Sequence, residues 1–245
     1  MTGTMTKDRK TLYRIITIGL MAALVYAGNY LQIKIPNGVL VTRIHLGNSM
    51  CLLAGLLFGS INGGLASGIG AMLYDLFDPV YIVSAPYTFI SKFAMGFTAG
   101  ALRNSSEKTR VITAAVTGQL VYIVLYLLKS FFTIIILGGT VEAAWAAVGT
   151  NAVTSVINGV LAVAIAVPLY FTLRTALKHT TISALIAEND KENKAENKKA
   201  KPAVLAVIAV IAAIAVALSL RLSVENKLKE KRAQEASISV STELE

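Results

Sequence analysis

Six apolar stretches, residues 12–33, 44–58, 63–77, 82–102, 111–137 and 148–173, constrain this chain more than any other feature. About 20 residues at 1.5 Å each cross the hydrocarbon core of a bilayer, where every backbone N–H and C=O must be satisfied within its own segment. Stretches of this length and apolarity predict membrane helices. Six of them predict an all-α integral membrane protein, a six-helix transmembrane bundle in the lipid bilayer. Only 15% of the residues are charged while 55% are hydrophobic, a balance that soluble domains do not carry. The first stretch is too long for a secretory signal and lacks a small-residue cleavage site.

The polar residues inside these stretches gather at one level of the bundle. Asn29, Tyr30 and Gln32 close the first stretch; Arg43, His45 and Asn48 open the second. Tyr74, Asp75 and Asp78 close the third, and Ser84, Tyr87, Thr88 and Lys92 open the fourth. Tyr126, Lys129 and Thr133 lie late in the fifth, and Asn151, Ser155 and Asn158 early in the sixth. Alternating helix direction brings all of these to the same side and leaves Leu, Ala, Gly, Val and Phe on the other. A polar bowl at one end of an apolar bundle predicts a site for a small polar molecule.

Basic residues set the orientation. Lys7, Arg9, Lys10 and Arg14 precede the first stretch, Arg103, Lys108 and Arg110 separate the fourth from the fifth, and Arg174 and Lys178 follow the sixth. Cytoplasmic loops collect Lys and Arg, so the N-terminus is expected inside the cell membrane and the bowl outside. The net charge of +9 is accounted for by these ends and by the tail, and predicts no nucleic-acid partner. One cysteine, Cys51, allows no disulfide within the chain, and His45 and His179 stand in no metal-ligand spacing. No cofactor is expected.

The domain expectation is a membrane unit over residues 1–178, a charged linker over 179–202, a further apolar run over 203–220 and a charged tail over 221–245. The run has 18 residues, enough to span once. A span would place Arg221, Lys227 and Lys229 outside, so a surface-lying helix competes with a seventh transmembrane helix. Uniform apolarity around the helix favours the span.

Three patterns carry further meaning. Gly19, Ala23 and Ala27 recur every four residues and form a smooth ridge on one helix face, which serves either internal packing or docking of another helix. Gly64 and Gly68, beside Gly63, Ser67 and Ala71, repeat the device in the third stretch, where internal packing is expected. Gln119, Tyr122, Tyr126, Lys129 and Thr133 are spaced 3, 4, 3, 4 and share one face, either as an interhelical bonding stripe or as a wall facing ligand. Asp75 and Lys92 are the expensive residues: a charge deep in a span costs about 2.5–3.5 kcal/mol on insertion scales, so each needs a partner or a function. A mutual ion pair is one solution; a ligand group meeting Lys92 is the other. Arg43 is expected to snorkel at the rim. The connection over residues 34–42, with Pro36, Asn37 and Gly38, has turn chemistry and could close over the bowl as a lid.

Together these give an expected ligand-facing set of Asn29, Tyr30, His45, Asn48, Tyr74, Asp75, Tyr87, Lys92, Tyr126, Lys129, Asn151 and Asn158.

The run from Gly19 through Ala23, Ala27, Asn29 and Tyr30 to Ile33, then Arg43-Ile-His-Leu-Gly-Asn48, Leu53-Ala-Gly-Leu-Leu-Phe-Gly59 and Gly63-Gly-Leu-Ala-Ser-Gly68, resembles the substrate-binding S components of energy-coupling factor (ECF) transporters, the riboflavin-type branch above all. The resemblance covers roughly residues 10–178 and leaves the last 60 or so outside it. It implies a capture subunit for a small vitamin-like molecule, working with a transmembrane T component and two ATPase subunits. It also implies that the Gly19-Ala23-Ala27 ridge docks on the T component. The chain has no Gly-x-x-x-x-Gly-Lys-[Ser/Thr] loop to hydrolyse ATP itself. The alternative is a stand-alone transporter coupled to protons or sodium through Asp75 or Asp78. An intramembrane protease built on Ser67 fails on geometry, because neither histidine is expected within reach of it. The protein is therefore expected not to be an enzyme.

Overall fold

The computed structural model describes residues 7–37, 40–103, 107–180, 182, 183, 186, 187 and 190. The expected segment 203–220, the tail after it and most of the linker lie outside the described residues.

Helix α1 (Lys7–Tyr30) leads directly into an antiparallel hairpin of β1 (Gln32–Asn37) and β2 (Leu40–His45). Then follow α2 (Gly47–Phe58), α3 (Ser60–Phe77), a short 3-10 turn (Ile82–Ser84), α4 (Ala85–Leu102), α5 (Lys108–Ile136), α6 (Val141–Ala176) and a last 3-10 turn (Leu177–His179). By length and composition, α1, α5 and α6 are long and apolar enough to cross a membrane. Helix α2 is a shorter apolar helix of 12 residues, about 18 Å long. Eleven of those residues are buried, so α2 is an interior element.

The hairpin corrects the purely helical expectation. Residues 32–35 read Gln-Ile-Lys-Ile, an alternation that favours a strand. Counting Ile33 with the preceding apolar run hides that period of two. His45 pairs with Gln32, Arg43 with Lys34 and Val41 with Pro36. Pro36 is tolerated because a two-stranded ribbon has only edge strands. Helix α6 also begins earlier than its apolar run. Thr140 accepts a hydrogen bond from the Ala143 N–H at 3.2 Å and Glu142 sits in the first turn, so the N-terminus is capped and charge-matched well before residue 148.

Small residues let the middle helices approach closely. A Cβ placed on Gly68 would lie 2.8 Å from the Phe89 ring, and one on Gly64 would lie 3.0 Å from the Phe93 ring. Helices α3 and α4 pack along each other through these positions. Gly59, at φ +86°, is the single residue between α2 and α3; a side chain there would be strained, which explains how so short a turn is made. Ser67, between the glycines, donates to the carbonyls of Gly63 at 2.7 Å and Cys51 at 3.1 Å. Its hydroxyl serves packing.

Away from the hairpin the core is apolar: Leu52, Leu53, Leu56, Leu57, Met95, Val111, Ala114 and Ala166 are buried together. Arg103 closes that end. It is buried, donates to the carbonyls of Leu56 and Leu57 that end α2, and pairs with Asp190 at 2.7 Å.

The ridge of α1 faces the other way. Gly19, Ala23 and Ala27 are exposed, and a Cβ on Gly19 would meet nothing within 4 Å. Met21, Ala22 and Val25 carry the inward face of the same helix.

Candidate functional site

A cavity opens at the hairpin end of the bundle, walled by segments far apart in sequence. Strand β2 contributes Thr42, Arg43 and His45, the end of α3 gives Asp75, and the turn before α4 gives Tyr81 and Ser84. Helix α4 adds Tyr87, Thr88, Ser91 and Lys92; α5 adds Tyr122, Tyr126, Lys129, Ser130 and Thr133; α6 adds Asn151, Ser155 and Asn158. The free space is about 70 Å³. Binding sites for drug-sized molecules run to about 300–1,000 Å³, so a ligand of that size needs the walls to part.

The hairpin is the wall with the most evident fastenings. Asn158 accepts from the His45 backbone N–H at 2.9 Å and donates to the Arg43 carbonyl at 2.6 Å, pairing its amide with β2 much as a neighbouring strand would. Gly47 N–H donates to His45 Nδ1 at 3.1 Å, which makes that nitrogen the acceptor and leaves the imidazole proton on Nε2. Tyr81 donates to the Val41 carbonyl, and the Thr42 and Tyr126 hydroxyls lie 3.1 Å apart. On the other strand Lys34 pairs with Asp78 at 2.7 Å, and Gln32 donates to the Tyr74 hydroxyl. Burial pushes the Asp78 carboxyl up, but Lys34, the Val80 N–H and the Tyr74 hydroxyl outweigh it and hold it below the usual carboxylate value.

The charges are arranged differently from the simplest expectation. Asp75 is paired with Arg43 at 2.7 Å and accepts from Thr88 at 2.5 Å, so of the two alternatives for Asp75 and Lys92 the mutual ion pair is not formed. Arg43 is only 10% exposed at its side chain and lies over the rings of Tyr74 and Tyr81, at 5.0 and 4.2 Å from their centroids. It does not snorkel at the rim, because Asp75 and two aromatic faces compensate its charge inside. Lys92 is fully buried, donates to Asn48 Oδ1 and stands 3.6 Å from the centroid of the Tyr122 ring. Lys129 donates to Ser84 Oγ at 2.7 Å. The Tyr122 and Tyr126 rings stack at 5.9 Å with 19° between their planes.

Of the residues expected to face ligand, His45, Asp75, Tyr87, Lys92, Tyr126, Lys129, Asn151 and Asn158 line this cavity. Asn48 and Tyr74 stand one layer behind, touching Lys92 and Arg43. Asn29 is buried at the junction of α1 and α2: it donates to the Val25 carbonyl at 2.8 Å and fills the space that a side chain on Gly47 would need. Tyr30 is 59% exposed beside Tyr26 and Tyr74. Among the described residues, α1 gives the cavity no wall; it packs on α3 and α2 instead. Of the α5 stripe, Tyr122, Tyr126, Lys129 and Thr133 line the cavity, while Gln119 lies in an apolar groove between α5 and α6. Sequence reasoning undervalued Arg43, Thr42, Tyr81, Ser91 and Ser130. The alternation of β2 was the available signal for Arg43, since it turns Val41, Arg43 and His45 to one face and Thr42 to the other.

The chain matches the family model "ECF-type riboflavin transporter, S component" over residues 9–175. It belongs to that family. The family is one of transporter substrate-binding subunits and not of enzymes, and its members are membrane proteins. Two solved structures share the S component's fold. One, described as the S component of a bacterial ECF transporter, has a TM-score of 0.54 and 22% identity, covering 69% of this chain and 99% of its own. The other, the S component for biotin from an ECF-type ABC transporter, has a TM-score of 0.50 and 17% identity, covering 70% and 95%. No curated protein sequence matches the chain.

Proposed function

We propose that this S component captures a small ring-bearing vitamin from outside the cell and hands it to a transmembrane T component powered by two ATPase subunits. The carrying observation is the cavity: four tyrosines and a dense set of donors and acceptors, drawn from β2 and four helices, are gathered at one end of an otherwise apolar bundle. Tyrosine faces stack on planar rings while hydroxyls and amides bond the ring edge. A flavin leads the candidate ligands because the family model is named for riboflavin. In this account all six helices cross the bilayer with the N-terminus cytoplasmic, residues 1–178 form the capture unit, and 179–202 link it to a seventh membrane helix at 203–220.

The hairpin serves as the lid. Its latches are side-chain bonds and two ion pairs, Arg43–Asp75 buried and Lys34–Asp78 half-exposed, and the cavity under it is too small for a vitamin until they release. Shortening residues 34–42 should speed ligand dissociation; an unchanged off-rate would remove the lid role. The exposed Gly19-Ala23-Ala27 ridge supports T-component docking, since an internal packing stripe would be covered within the bundle. Coupling to protons or sodium draws no support: Asp75 is held by Arg43 and Asp78 by Lys34, so neither carboxylate is open to an ion.

Mass spectrometry of small molecules released from the detergent-purified protein, followed by titration with a vitamin panel, tests the capture role. A vitamin at one per chain, rebinding tightly, is the expected result. An empty protein that binds no panel member would refute it.

A further inference from the structure

Three cations line the cavity, Arg43, Lys92 and Lys129, against one carboxylate, Asp75. Arg43 and Asp75 neutralise each other at 2.7 Å, which leaves two lysines. Among the described residues neither lysine meets a carboxylate: Lys92 is held by the Asn48 amide oxygen and the Tyr122 face, Lys129 by the Ser84 hydroxyl. Each stands seven residues from the hairpin end of its helix, Lys92 after Ala85 and Lys129 before Ile136, so both lie about 10 Å in from that end. One guanidinium nitrogen of Arg43, Nη1, is also buried without a hydrogen-bond partner. Buried charges without a counter-charge are costly and are rare in membrane helices. Lys92, fully buried, and Lys129, partly buried, share one cavity beside an unused guanidinium donor and mark a place built for anionic oxygens.

We propose that the preferred substrate of this site carries a carboxylate or phosphate group beside its ring, with Lys92 and Lys129 receiving the anion while the tyrosines hold the ring. The proposal rests on the capture reading above and deepens it. A neutral vitamin would fill the aromatic part and leave both ammonium groups without a contacting carboxylate. An anionic one supplies charge-assisted bonds where water is excluded. Carboxylate and phosphate are the two sources of this chemistry, and matched ligand pairs separate them.

The experiment is a titration of the purified full-length chain with riboflavin against riboflavin phosphate, and with biotin against biotinamide, at fixed salt. The anionic member of at least one pair should bind about ten-fold or more tighter, the scale expected of a hydrogen bond to a charged group. Preference within the flavin pair assigns phosphate, and within the biotin pair carboxylate. In Lys92→Met and Lys129→Gln variants, with folding checked by thermal melts, that preference ratio should fall toward one. Equal or tighter binding of the neutral members overturns the proposal and leaves the capture role standing. So does an anion preference that survives in both variants. Failure of all four ligands to bind overturns the proposal, and the vitamin panel then decides the capture role separately.

Discussion

Two stripes of small residues, one on α1 and one on α3, look alike in the sequence and end in opposite places. Gly64 and Gly68 are pressed against Phe93 and Phe89, where even a methyl group would collide. Gly19, Ala23 and Ala27 face outward with no neighbour at Gly19. The same device thus closes the bundle in one helix and leaves a landing strip in the other. The ion pairs repeat the lesson. Arg43–Asp75 is sealed inside, at 10% and 2% side-chain exposure, whereas Lys34–Asp78 is half open, at 40% and 8%. What a motif does here depends on whether anything covers it.

The largest break in this comparison should come from Asp75→Ala. It leaves the Arg43 guanidinium buried without its counter-charge, a loss of about 3–5 kcal/mol for a buried pair. Thermal unfolding in detergent should fall sharply, and a wild-type melting curve would show that the pair contributes nothing. Gly68→Leu comes next. Overpacking a close helix contact costs about 1–3 kcal/mol or more, and the group it would strike includes the Phe89 backbone carbonyl at 3.0 Å, which cannot rotate away. Ala22→Leu and Ala23→Leu sharpen the point on adjacent residues: the buried site should lose stability and the exposed one should stay within about 0.5 kcal/mol. Equal melts for the pair would erase the distinction between the two faces.

The smallest effect belongs to the half-open ion pair. Folding lowers the Asp78 carboxyl below its ordinary value, so its contribution is fully present above the unfolded carboxylate value near 4 and is lost as pH falls through the lower folded value. Such a pair is worth about 0.2–1 kcal/mol. Ligand off-rates measured from pH 6 down to about pH 3 should rise modestly in the wild type and show less pH dependence in Asp78→Asn. A variant with the full wild-type dependence would assign the acid effect elsewhere.

Much of this was legible in the sequence, for physical reasons. Apolar length declared the helices, because a bilayer leaves few alternatives. Alternating direction put the polar ends together, and most of the residues so gathered do line one cavity. The hairpin was hidden since Ile33 continues an apolar run while also belonging to a period-two strand. Partner choice was hidden as well: Asp75 and Lys92 are both deep charges, but only the placement of β2 reveals that Arg43 reaches Asp75 first. Asn29 and Tyr30 share the polar level of the bundle and still miss the cavity, because level along a helix does not determine which neighbours stand in front. The direction in which the α1 ridge faces is a property of packing that no spacing rule contains.

The separation of a binding end from a docking face is the central claim, and one variant tests it. Ala23→Leu with Ala27→Leu, expressed with the T component and ATPases, should bind ligand as wild type does and melt at the same temperature, yet take up none into cells or proteoliposomes. Normal uptake by that double variant would contradict the account.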